Sequence, residues 1–227
     1  RPRAVAIAGL QGKTVMKRWL RQMFQTSLRV RANPRSYNTE IGLPLAVLDV
    51  AIESGRVADA VAAMARASLR GLFSTERLDL LVLEMGIRRP GDARGLLRTL
   101  VPEVLILTPL APSFSSDLPF LDTLEAEVAL LAREVVERGG TVVACGDDPR
   151  LVAAVSGLGR VRFFRRDQVR RTDGRLALAV SGRSYDVGLD VVGESSEYAL
   201  LAGIEVAGLL GLEEEKVRKF LAGPYFP

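Results

Sequence analysis

The sequence predicts an α/β fold: a mostly parallel sheet flanked by helices, with a small antiparallel section near residues 160–190. Short apolar runs alternate with stretches of helical periodicity, which is the pattern of successive βαβ units. The first apolar run ends in glycines and passes directly into a helical pattern. Between 160 and 190 the runs shorten and alternate polar with apolar, as antiparallel strands do. A chain of 227 residues, 48% of them hydrophobic, is long enough for one substantial core, and no repeat or Pro/Gly/Ser-rich linker divides it. A single domain over 1–227 is expected.

Element by element, AVAIA at 4–8 reads as a buried strand and 13–26 as a helix. Residues 28–32 read as a second strand, and 43–52 and 57–72 as helices. LDLLVLEMG at 78–86 is the clearest buried strand, followed by a helix over about 90–100 with Pro90 in its first turn, where a missing N–H costs nothing. VLILTPL at 104–110 is a strand, 120–138 a long helix ended by Gly139-Gly140, and 141–145 a strand. Asp147-Asp148-Pro149 opens a short helix near 149–157. RVRFF, RLALAV and YDVGLDV supply the antiparallel section, and helices over 196–210 and 213–222 close the chain.

Composition removes several chemistries. There is no histidine, hence no Ser-His-Asp or Cys-His site, no HExxH zinc site and no imidazole base. A single cysteine, Cys145, excludes an intramolecular disulfide and a thiolate zinc cluster, and fits a reducing cytoplasm. Net charge is +4; of 31 basic residues only Lys13, Lys17, Lys216 and Lys219 are lysines, a bias attributed to coding habit. No apolar run approaches the roughly 20 residues of a membrane span, and no secretory signal peptide is read at the start. With no initiating methionine, the chain is expected to be a piece of a longer protein.

The chemistry concentrates at Gly9-Leu10-Gln11-Gly12-Lys13-Thr14. Glycines let a backbone turn tightly and aim its N–H groups at phosphate oxygens, and the following helix N-terminus adds its dipole. Lys13 is placed to neutralise β- and γ-phosphates, and the Thr14 hydroxyl to ligate Mg²⁺. The loop is a shortened P-loop, because Ile7 stands where the full pattern has its first glycine. The same pattern also fits a plain strand–turn–helix with a surface Lys-Thr pair. Glu84, ending LLVLE, falls where a second Mg²⁺ ligand belongs if its strand lies beside the loop. A solvated strand-end glutamate is the plainer alternative.

Four segments, AGLQGKT at 8–14, SYNTEIGLPLAVL at 36–48, LVLEMGIRRPGDARGLL at 81–97 and YALLAGIEVAGLLGL at 198–212, resemble the central ATPase domain of the Mur ligases, in order and spacing. The similarity is greatest to the branch that adds D-alanyl-D-alanine. These enzymes form amide bonds in peptidoglycan synthesis by phosphorylating a substrate carboxylate, which the amine then attacks. The resemblance implies ATP and Mg²⁺ as cofactors, with Gly9, Gln11, Gly12, Lys13 and Thr14 on the nucleotide and Thr14 and Glu84 on the metal. It further implies Lys13 and Asn38 in the catalytic machinery, with Thr39 where the family has a second asparagine. An N-terminal domain holding a UDP-linked muramoyl peptide and a C-terminal domain completing the site are expected outside this chain.

The sequence departs from the family at three places. Phe114 or its neighbour stands where a metal-binding histidine belongs, after Thr108 and Pro109 in place of a Thr-Asn pair. Glu127 falls where the family carries a carbamylated lysine, so it is a candidate ligand for a second metal, although an ordinary solvated helix residue is the preferred reading. Ser195, Ser196 and Ala199 replace a histidine and asparagines on the adenine side. Two functional readings follow: an ATP-binding domain of a peptide-forming ligase, or a non-catalytic homologue serving as scaffold or regulator. A generic P-loop NTPase leaves SYNTEIGLPL unexplained.

Residues 160–175 hold seven arginines around Phe163 and Phe164. Such a stretch can bind nucleic acid, but a surface hairpin with outward arginines is preferred, and no nucleic-acid partner is expected. The Ala-rich 57–72 segment either packs on the sheet or presents an apolar edge to a partner.

Overall fold

The computed structural model describes residues 2–33, 37–40, 42–47, 77–110, 121–172 and 175–223. The helix expected at 57–72, the second half of the 43–52 helix and Phe114 lie outside the described residues.

β1 (Arg3–Ala8) leads through the glycine loop into α1 (Lys13–Gln25), then β2 (Val30–Ala32) and α2 (Gly42–Val47). β3 (Leu80–Glu84), α3 (Asp92–Thr99), β4 (Val104–Leu107), α4 (Leu121–Glu137), β5 (Thr141–Cys145), α5 (Pro149–Ala154) and β6 (Val161–Phe164) follow. These strands form a six-stranded sheet in the order β2-β3-β1-β4-β5-β6, all parallel. After a 3₁₀ turn at Arg166–Gln168, β7 (Val169–Thr172), β8 (Arg175–Val180) and β9 (Arg183–Val187) make a separate antiparallel sheet. α6 (Glu194–Leu210) and α7 (Glu214–Ala222) end the described chain.

The antiparallel section therefore begins at Val169. Val161–Phe164, grouped with it by the sequence, instead pairs in parallel with β5 as the edge of the main sheet. Its half-exposed alternation, with only Phe164 fully buried, is that of an edge strand and cannot be told from a hairpin strand by pattern. Pro90 also differs from expectation: α3 starts at Asp92 with Gly91, at φ 92°, as its N-cap, so the proline precedes the helix.

β1, β3, β4 and β5 are buried almost throughout, as strands covered on both faces must be. α1 buries Met16, Lys17, Leu20, Met23 and Phe24 on one side, and it packs against α6, whose alanines and Gly203 permit close approach. α3, α4 and α5 cover the other face of the sheet. The connection leaving β1 runs to the first face, and those leaving β3 and β4 run to the second. This places a crevice at the C-terminal end of β1, where parallel sheets hold their ligands.

The arginines of 160–175 serve this packing. Arg162 pairs with Glu205 at 3.0 Å and Arg171 with Glu197 at 2.7 Å, two glutamates buried on α6. Arg166 lies 3.8 Å from both Glu194 and Glu197. Ser181, in the β8–β9 turn, donates to the other Glu205 oxygen. The cluster thus ties the small sheet and the edge strand to α6. Among the described residues no helix is long and apolar enough to cross a membrane.

Candidate functional site

At the end of β1 the backbone turns through Gly9 at φ 123° and Gly12 at φ 72°. A Cβ on Gly9 would sit 2.2 Å from the Thr108 carbonyl oxygen, so no other residue fits there without backbone movement. Gly12 is the N-cap of α1 and brings no side chain to its N–H groups; the first turn holds no acidic residue either. The helix therefore starts with donors uncommitted to a side-chain cap, an arrangement that attracts anions. Leu10 and Gln11 both donate their N–H to the Pro109 carbonyl, which pins the loop to the end of β4. The Lys13 ammonium donates to the carbonyls of Gly9 (2.8 Å) and Leu10 (3.1 Å), folded over its own loop. Burial pushes its pKa below the usual lysine value; Glu84 draws it back up and nearby Arg88 pushes it further down.

Register carries the second half of the site. Glu84 pairs with Ile7, so its carboxylate reaches the loop from the neighbouring strand. It is buried, with Oε2 accepting from the Thr14 hydroxyl at 3.2 Å and lying 3.3 Å from the Lys17 ammonium. Asn38 Nδ2 is 3.4 Å from Oε1. Asn33 brackets the same residue: its Oδ1 accepts from Glu84 N, and its Nδ2 donates to the Glu84 and Tyr37 carbonyls. Gly86 N donates to the Asn38 carbonyl, and a Cβ on Gly86 would strike the Asn38 side chain. The solvated strand-end alternative for Glu84 is thereby excluded. Thr39 is exposed, its hydroxyl accepting from Gly42 N.

Gly9, Gln11, Gly12, Lys13, Thr14, Asn38 and Glu84 thus converge. Glu127 has a different environment from the one expected. It is not solvated: only 9% exposed, it accepts from Gly91 N at 2.9 Å and Ala93 N at 2.8 Å, one bond to each oxygen. Its carboxylate closes the N-terminus of α3, whose Gly91 cap has no side chain to do so. Ser195 lies against Gly12, with Oγ 3.2 Å from where a Cβ would stand. Ala199 is fully buried and lines no surface.

Sequence reading missed Lys17 and Asn33. Lys17 had a signal, a lysine beside Met16 and one turn before Leu20 on the core-facing side of α1. Asn33, following a short strand, had none.

Oxygen donors from one hydroxyl and one carboxylate suit Mg²⁺, which is commonly held by one or two protein groups and completed by phosphates and water. Among the described residues no group of three or more acidic, cysteine or histidine side chains is placed to cage a metal unaided. The donor set fits a metal delivered with a polyphosphate.

The α/β fold built around this site is similar to those of solved Mur ligases and folylpolyglutamate synthases. MurF ligase from Thermotoga maritima, solved in complex with ADP, superposes over 100% of this chain and 49% of its own length, with a TM-score of 0.70 and 21% identity. A bifunctional folylpolyglutamate synthase/dihydrofolate synthase, solved with Mn, AMPPNP and L-glutamate bound, gives a TM-score of 0.62 at 20% identity, over 100% of this chain and 58% of that one. No family model matches the sequence. The UDP-N-acetylmuramoyl-tripeptide–D-alanyl-D-alanine ligase of Bacillus subtilis is 23% identical over 97% of this chain and 44% of its own length. The corresponding ligase of Treponema pallidum is 30% identical over 46% of this chain and 17% of its own. The chain is similar to these curated ligases and spans less than half of their length.

Proposed function

We propose that this chain is the ATP·Mg²⁺-binding central domain of a cytoplasmic, peptide-bond-forming ligase of peptidoglycan precursor synthesis. The observation that carries the reading is the Glu84 carboxylate, held 3.2 Å from the Thr14 hydroxyl beside the uncapped start of α1. The N–H groups at the uncapped start of α1 receive the phosphates, and Lys13 exchanges the carbonyls of Gly9 and Leu10 for β- and γ-phosphate oxygens. Thr14 and Glu84 hold the metal, whose charge eases phosphoryl transfer. Asn38 fixes the Glu84 carboxylate at the rim of the site.

In the reaction, a substrate carboxylate oxygen attacks the γ-phosphorus and ADP leaves. The amine nitrogen then attacks the acyl-phosphate carbon, expelling inorganic phosphate and giving up its proton. Parts of a complete ligase beyond this chain would supply the UDP-linked muramoyl peptide and close the site. Glu127 acts as a cap for α3 instead of as a second-metal ligand.

Calorimetric titration of ATP with Mg²⁺ into wild type and Lys13→Ala tests the reading. Saturable binding in wild type, weakened at least about tenfold in the variant, is expected for loss of a charge-assisted contact. Absence of Lys13-dependent binding at millimolar nucleotide would favour a non-catalytic scaffold.

A further inference from the structure

Lys17 is the one buried lysine among the described residues, 6% exposed and one helical turn beyond Lys13. Its ammonium donates to the Asn33 carbonyl at 3.0 Å and lies 3.3 Å from Glu84 Oε2, the same oxygen that accepts from Thr14. Asn38 reaches the other oxygen. The candidate metal-binding carboxylate is therefore already charge-compensated, with a protein group on each oxygen. No buried side-chain nitrogen or oxygen among the described residues lacks a partner. Lys13 adds further positive charge beside the carboxylate.

We infer that Lys17 is a positioning residue that makes divalent-cation entry conditional on nucleotide. With Lys17 in place, a bare divalent ion approaching Glu84 meets a neutralised carboxylate and a surplus of cations. Like charges at this distance, screened little by solvent, repel it. A nucleotide's phosphates reverse the local balance, supply most of the metal's ligands and admit the ion with them. Thr14 and Glu84 then need to contribute only two oxygens. Lys17 meanwhile keeps the carboxylate turned toward Thr14 and holds the Asn33 segment against the end of β3. The inference rests on Thr14 and Glu84 being the metal's protein ligands.

The test is Mn²⁺ titration, followed by electron paramagnetic resonance, of nucleotide-free protein and of protein with ATP. Lys17→Gln removes the charge but keeps a donor for the Asn33 carbonyl. It is expected to bind bare Mn²⁺ at least about tenfold more tightly than wild type, by release of the ammonium–metal repulsion. The gain should disappear in Lys17→Gln/Glu84→Gln, and Lys17→Arg should behave as wild type. Equal binding of bare Mn²⁺ by wild type and folded Lys17→Gln overturns the inference. So does wild type binding bare Mn²⁺ as tightly as it binds Mn²⁺ with ATP, a result that needs no variant to fold. Wild type failing to bind Mn²⁺ even with ATP overturns the nucleotide reading itself, a separate outcome.

Discussion

Replacing Glu127 by alanine separates two roles that one carboxylate could play. In the structure it accepts from Gly91 N and Ala93 N at 2.9 and 2.8 Å from a buried position. Hydrogen bonds to a charged group contribute about 1.5–3 kcal/mol each, and a buried N–H left unpaired costs a similar amount. Both donors lose their partner in Glu127→Ala, but water entering the space regains part of the loss, so destabilisation of about 3 kcal/mol is expected. Glu127→Gln keeps one acceptor oxygen and loses the charge, for about 1–2 kcal/mol. With a urea slope of about 2 kcal/mol/M, the alanine variant's midpoint falls by about 1.5 M. Urea unfolding followed by circular dichroism reads this directly, and Mg·ATP affinity should change little while the variant remains folded. A stability change below about 0.5 kcal/mol, the range of an ordinary surface substitution, refutes the capping role. If Mg²⁺ dependence collapses at the same time, Glu127 is a metal ligand.

Two further outcomes follow from the geometry. Gly9→Ala would place a methyl group 2.2 Å from the Thr108 carbonyl at φ 123°, so the loop must shift. Stability should drop by about 2 kcal/mol or more, and calorimetry should detect no nucleotide binding. The Cys145 thiol, buried at the end of β5, is pushed by that burial from 9.0 up to about 11. Alkylation by iodoacetamide at pH 8 should therefore proceed only as fast as the protein opens. The stability contributed by this group is present below its unfolded value and fades as pH rises from 9.0 to about 11.

The sequence carried the parallel sheet because its strands are short, wholly apolar and separated by helical patterns, signals that survive without tertiary information. Glu84 beside the loop was equally legible: a strand-end carboxylate following LLVL has few places to go once its strand neighbours β1. What local pattern could not carry was partnership at a distance. Glu127 looks solvated in an amphipathic helix until α3 is found 34 residues upstream with a glycine cap needing an acceptor. Arg162 looks like one more surface arginine until its partner, Glu205, appears 43 residues later on α6. β6 reads as half of a hairpin because an edge strand alternates whichever direction its neighbour runs.

The role proposed for this loop and the Glu84 carboxylate is to hold a metal–nucleotide complex between them. The most direct measurement is the increment in ATP affinity produced by Mg²⁺, determined calorimetrically for wild type and for Glu84→Gln, which leaves the loop, Lys13 and the α1 N-terminus in place. Mg²⁺ is expected to tighten ATP binding to wild type, and the variant to lose most of this increment while still binding metal-free ATP. An increment of the same size in both proteins would contradict this role.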